Sequence, residues 1–269
     1  MENLKVIPTG QALGAEIFGL DLTRSLSQPS INSLRQVVLD YSLIFFRNQS
    51  FSEQNQVDFT RYFGKPVEHV RKQLERPIKE IFLISNLKKG GKAIGALSND
   101  KIGFHSDLSY LPQPGTISTL YAVQLPKNGG ATQWCNGYAA YEALDNDTKE
   151  RIQGLKAVHR HSLEEQNPDK LAAHPLACTH PKTGRKALYL GPHLTRYIVG
   201  IDKKESEKIL DKLFNHISQP QFVWTHHWQL GDFVIWDNRC TMHRREDFPS
   251  QETRLLKRTQ VFNNQTPYE

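Results

Sequence analysis

From residue 81 onward the chain is dominated by short runs dense in β-branched and aromatic residues. These are "IFLIS" at 81–85, "GTISTLYAV" after Pro114, then "QFVWTHHW", "DFVIWDN" and "LLKRTQVF". Runs of this length and composition, bounded by turn formers such as "QLGD", read as strands. Helical spacing is confined to fewer places. Ser30 to Asp40 carries Ile31, Leu34, Val37 and Val38 on one face, and Ser52 can cap a second helix whose Phe59, Tyr62 and Phe63 fall together. "NGYAAYEAL" is expected to be a helix capped by Asn136. Asp202 with Glu205 resembles a capping box opening a helix through Ile209, Leu210, Leu213 and Phe214. Many short strands with helices at the edges predict an α+β protein, mainly β, of β-sandwich or jelly-roll type. With no repeat or low-complexity linker, residues 1–269 are expected to form a single domain.

Composition narrows the partners. The net charge of +6 is modest and scattered, and the basic clusters Lys88-Lys89 with Lys92 and Arg244-Arg245 lack interleaved aromatics. A nucleic-acid-binding stripe is therefore not expected. Cys135, Cys178 and Cys240 are widely spaced and odd in number, which favours a reducing compartment over a disulfide framework. The N-terminus lacks signal-peptide character, and no apolar run approaches the roughly 20 residues of a membrane span. A cytoplasmic address and no membrane partner are expected; homo-oligomer formation is open.

"GFHSDLSY" at 103–110 carries the chemistry. On a strand, alternate residues share a face, so His105 and Asp107 would point the same way. A buried carboxylate needs a partner: a metal ion, or else an Arg, a Lys or backbone amides. A jelly roll would bring a third ligand from a distant strand, and "WDNRCTMHRRED" offers His243, 136 residues beyond Asp107. Two histidines and one carboxylate with open positions make the facial triad of non-haem Fe(II) oxygenases. Arg254, Leu256 and Arg258 would share a strand face, with the two arginines roughly 13 Å apart. That separation suits two different anions, or two structural ion pairs. The glycine- and lysine-rich stretch from Asn86 to Asp100, within a wider range of 86–104, has the texture of a lid. His226-His227 would face opposite ways, one packed with Trp224 and Trp228. Cys240 has no second soft ligand and reads as a small buried residue.

Together "FHSDLSY", "PKNGGATQW", "GYAAYEAL", "THPKTGRKALYL", "GDFVIWDNRCTMHR" and "RLLKRTQV" resemble, in order and over nearly the whole chain, the Fe(II)/2-oxoglutarate dioxygenases of the taurine dioxygenase and chlorophenoxyacetate dioxygenase type. The resemblance implies a double-stranded β-helix (jelly-roll) core with flanking helices. It also implies Fe(II) on His105, Asp107 and His243, with 2-oxoglutarate and O2 as co-substrates. It implies that Thr132 and Arg254 hold the distal carboxylate of 2-oxoglutarate, that Trp236 lies near the co-substrate, and that Arg258 lies near an anionic group of a small substrate. Lys101, His161 and His193 fall where pocket-lining residues are expected. The expected reaction is hydroxylation with release of succinate and CO2. Desaturation is the alternative within the family; a zinc hydrolase would leave Thr132 and Arg254 without a task, and full retention of the triad argues against a non-catalytic jelly-roll binding protein with a degenerate site. Phe104 stands where a Trp is frequent, and Lys101 where taurine enzymes carry an Asn, which separates this chain from taurine itself.

Overall fold

The computed structural model describes residues 4–71, 73, 76–96, 102–262 and 267. The strands are β1 (Lys5–Pro8), β2 (Ala15–Phe18), β3 (Leu43–Phe46), β4 (Phe82–Ser85), β5 (Ile102–His105), β6 (Gly115–Gln124), β7 (Thr132–Asn136), β8 (Val223–His226), β9 (Phe233–Asp237), β10 (Thr241–Arg245) and β11 (Leu255–Phe262). They form a seven-stranded sheet in the order β1-β2-β3-β9-β6-β11-β4 and a four-stranded sheet in the order β8-β7-β10-β5. Neighbours are antiparallel except β2 and β3. A small three-stranded sheet (156–159, 172–175, 195–198) stands apart.

Side-chain alternation explains why the strands read as nearly continuous apolar runs: both faces of each main sheet are covered. Leu43, Phe45, Leu120, Val234, Trp236 and Leu256 of the large sheet share one core cluster with Trp134 and Trp224 of the small sheet. The intervening Ile44, Phe46, Ile117, Phe233, Ile235 and Val261 point the other way, onto helices α1 (Gln28–Tyr41) and α2 (Glu53–Thr60). Behind the small sheet, Cys135 and Met242 pack with Ile209, Leu213 and Ile217 of the helix Lys203–Ile217. Fully burying an aliphatic or Phe side chain is worth about 1.5–3 kcal/mol, so this three-cluster arrangement fixes the register of both sheets.

Helix starts fall where the sequence places them. Ser27, Ser52, Asn136 and Asp202 each accept a backbone N–H at the head of their helix. Of the stretch 86–104, residues 88–89 and 92–93 form an exposed two-stranded hairpin and 97–101 lie outside the described residues. Its last residues depart from the expectation of a lid: Ile102–His105 is strand β5 and Phe104 is buried.

Candidate active site

The three candidate ligands come from one end of the small sheet. His105 on β5 and His243 on β10 are direct cross-strand partners, and Trp134 on β7 faces His243 on the other side. Asp107 departs from the sequence expectation. β5 ends at His105, and Asp107 sits in the turn that follows, where Leu108 has φ 57°. The turn, rather than strand alternation, brings its carboxylate beside the two imidazoles. His105 Nε2 and His243 Nε2 lie 4.0 and 3.8 Å from Asp107 Oδ1, and the three ligand atoms all fall within 4.8 Å of one another.

The protonation states suit a divalent metal. His105 Nδ1 lies 2.9 Å from the Gly103 carbonyl. A carbonyl can only accept, so Nδ1 carries the proton and Nε2 presents its lone pair. Burial pushes His105 down to about 3 and His243 down to about 4, keeping both neutral. Burial alone would raise Asp107, but the Arg258 charge, both histidines and a hydrogen bond from Ser118 outweigh it and hold the carboxyl well below its usual range. His243 is oriented by packing: Trp134 stacks on it at 6.2 Å and Trp236 meets it edge-on at 5.0 Å. Trp236, expected near the co-substrate, thus lies behind His243. Its indole N–H is committed to Asn238 Oδ1, and it is not among the residues lining the cavity.

A cavity of about 180 Å³ opens over the triad. Thr132 and Arg254 line it, as do His161 and His193. Lys101 lies outside the described residues. Arg254 is almost completely buried, with Nη2 3.4 Å from Thr132 Oγ1. The Trp228 indole N–H donates to that same hydroxyl at 2.9 Å. No carboxylate among the described residues pairs with Arg254. Burial, and then the charge of Arg245, push its guanidinium down to about 9; because arginine keeps its proton, the shift registers an uncompensated buried cation. The "GG" before Ala131 makes room for this arrangement. Gly129 and Gly130 have φ near +70°, and a side chain at Gly129 would strike the Asp247 carbonyl at 2.4 Å.

Arg254 immediately precedes β11, and Arg258 lies within it, with buried Leu256 between them on the inward side. The two guanidiniums enter the same cavity but meet different partners. Arg258 does have an acid, and it is a distant one: its Nη1 lies 2.8 Å from Asp107 Oδ1. Its Nη2 lies 3.1 Å from His69 Nε2. The Arg71 backbone N–H donates to His69 Nδ1, and burial, with Arg258's charge, pushes His69 down to about 3. A neutral ring has one acceptor nitrogen for these two donors, the Arg71 N–H and the Arg258 guanidinium, so one of them is left facing a ring N–H; an acceptor placed between His69 and Arg258 would relieve the shortage.

His69, Trp228, Ser118 and Asn238 were not singled out from sequence, and no local pattern marks them. Within the pair 226-227, His226 is buried against Asp232, with Trp224 and Trp228 around it, while His227 is exposed. All three cysteines are free and buried.

This constellation, a triad that could hold one metal ion beside a buried arginine in one cavity, is of the kind that 2-oxoglutarate-dependent oxygenases use. The model of the taurine catabolism dioxygenase TauD, TfdA family matches residues 5–260. The chain is 30% identical, over 96% of its length and 97% of the other protein's, to the alpha-ketoglutarate-dependent 2,4-dichlorophenoxyacetate dioxygenase of Cupriavidus pinatubonensis. Among solved structures it resembles a taurine dioxygenase from Burkholderia xenovorans (TM-score 0.85, 32% identity, 98% of this chain and 92% of that one). It also resembles AAD-2, crystallised with Mn(II) and N-oxalylglycine (TM-score 0.86, 28% identity, 99% of each chain). The chain therefore belongs to the TauD/TfdA dioxygenase family. It is an oxidoreductase of the Fe(II)- and 2-oxoglutarate-dependent class that its motifs imply.

Proposed function

We propose that this enzyme hydroxylates a small organic anion, with His105, Asp107 and His243 holding Fe(II), and that residues 1–269 form one jelly-roll domain. The observation that carries the reading is the pairing, in one cavity, of the neutral-His/carboxylate triad with a buried guanidinium that has no counter-ion among the described residues. Fe(II), 2-oxoglutarate and O2 together supply the oxidising power, 2-oxoglutarate leaving as succinate and CO2 as a substrate C–H bond is oxidised. Arg254 and Thr132 would anchor the far carboxylate of 2-oxoglutarate, Trp228 fixing the hydroxyl. A planar guanidinium suits that bidentate task. Arg258 and His69 would share an anionic oxygen of the substrate, which supplies the acceptor that the His69 ring cannot offer to both of its donors. A carboxylate or sulfur oxyanion has that chemistry, and the relatives' names, a phenoxyacetate and taurine, support the same class. His161 and His193 would flank the remainder of the substrate.

Asp107 is retained as the third ligand, which favours hydroxylation over halogenation; desaturation shares the same arrangement. Ala96 lines the cavity, so the stretch beginning at Asn86 would act as a lid, and its amide exchange should slow when metal, 2-oxoglutarate and substrate are all bound. The three unpaired cysteines support a cytoplasmic setting. Screening succinate release over sulfonates, phosphonates, carboxylates and sulfate esters, alongside their uncharged amide and ester analogues, tests the proposal. Turnover confined to uncharged substrates would defeat the anionic assignment, and turnover independent of 2-oxoglutarate would defeat the whole reading.

A further inference from the structure

Both oxygens of Asp107 are engaged, by different means. Oδ1 faces the histidines and Arg258, whereas Oδ2 accepts a hydrogen bond from Ser118 Oγ at 2.7 Å. Ser118 is fully buried near the middle of β6, where Trp236 and Gln260 are its direct partners on the two neighbouring strands. Its oxygen receives two further contacts, from Asn238 Nδ2 at 2.8 Å and from Gln260 Nε2 at 3.2 Å. Asn238 is held in turn: its Oδ1 accepts the Trp236 indole N–H at 2.9 Å and the backbone N–H of Asp107 at 3.3 Å.

A hydroxyl has one proton and two lone pairs. With two amides donating to the lone pairs, the Ser118 proton can go only to Asp107 Oδ2. The polarity of the chain is thus set from the core outward. We infer that Ser118, aimed by Asn238 and Gln260, is a positioning residue. It commits Oδ2 and leaves Oδ1 as the single oxygen that Asp107 presents to the metal. Without Ser118 the carboxylate is free to rotate, to offer both oxygens or to turn Oδ2 toward Arg258. The closed ring that also fixes the Asp107 backbone explains how a ligand in a turn is held as firmly as its two partners on strands. The inference rests on the reading that the triad holds a divalent metal.

The test is Mn(II) titration of the full chain, followed by calorimetry and by electron paramagnetic resonance, for wild type, Ser118→Ala and Ser118→Thr. Partners behind a metal ligand commonly contribute about 10–100-fold in affinity. Ser118→Ala should weaken Mn(II) binding within that range and alter the Mn(II) spectrum, with thermal unfolding checked alongside. Ser118→Thr keeps the hydroxyl and should restore both. Asn238→Ala, which lets the Ser118 hydroxyl turn away, should weaken Mn(II) in the same direction and serves if Ser118→Ala does not fold. A change below about threefold in Ser118→Ala, well short of that range, overturns the inference, as does an equal loss in Ser118→Thr. Failure of the wild type to bind Mn(II) would instead remove the metal reading, and this inference with it.

Discussion

Arg258 Nη1 stands 2.8 Å from Asp107 Oδ1, the same oxygen that both ligand histidines face. One carboxylate oxygen therefore has two suitors, the metal and the arginine. A guanidinium drawn off Asp107 by a metal would become available to a substrate anion, alongside His69. Arg258→Gln should accordingly weaken an anionic substrate by on the order of 2–5 kcal/mol while leaving the 2-oxoglutarate requirement unchanged. Steady-state kinetics with both co-substrates varied decides this. A shift confined to 2-oxoglutarate would move Arg258 to the other anion.

Arg254→Ala should do the converse. The lost partner is a buried cation that meets Thr132 Oγ1 and, among the described residues, no carboxylate, so 2-oxoglutarate binding should fall by on the order of 2–5 kcal/mol. The KM for the prime substrate should change far less. Equal loss for both would point to collapse of the cavity wall.

Asp107→Ala should abolish product formation and most divalent-metal binding while circular dichroism stays native-like, with a lowered melting temperature because Arg258 and Ser118 lose their buried partner. Retained wild-type turnover would dismiss the triad.

A second buried carboxylate offers a stability test away from the chemistry. Asp237 is paired with Arg239 and with His180 Nε2 at 3.1 Å. Burial pushes its carboxyl up, but the Arg239 charge and hydrogen bonds from Arg239 and His180 prevail and hold it well below the usual range. Its stabilisation is thus present above the unfolded carboxyl value near 4 and is lost as the pH falls toward the lower folded value. Asp237→Asn should cost about 3–5 kcal/mol near pH 7 by stranding Arg239. The gap from wild type should close only below about pH 4. Urea unfolding across that range checks both sign and size.

The sequence made the site's covalent neighbourhood visible and left its spatial neighbourhood hidden. His105, Asp107, His243 and Arg254 stand out by residue type and spacing, but their roles, and Thr132 altogether, are named only through the family resemblance. Strand alternation nevertheless gave the wrong local reason for Asp107, since the period breaks one residue after His105. His69 and Trp228 have ordinary surroundings, and their roles arise only when β11 and β7 bring Arg258 and Thr132 to them. Trp236 shows the reverse case. The resemblance places it near the co-substrate, and its side chain packs edge-on against His243 within the layer between the sheets.

The register that pairs His105 with His243 bears on the durability of the protein as well as its catalysis. β5 is the last strand of its sheet. Besides its ladder with β10 and the burial of Phe104 in the core, its backbone is tied, among the described residues, by the His193 N–H on the Phe104 carbonyl. A metal held between His105 and His243 would act as a rivet through that outer edge. At a hundred times its dissociation constant such an ion adds about 2.7 kcal/mol to the folded state. Chelation should therefore first loosen the edge, and proteases should cut near residues 102–110 in stripped enzyme well before they attack the sheet behind it.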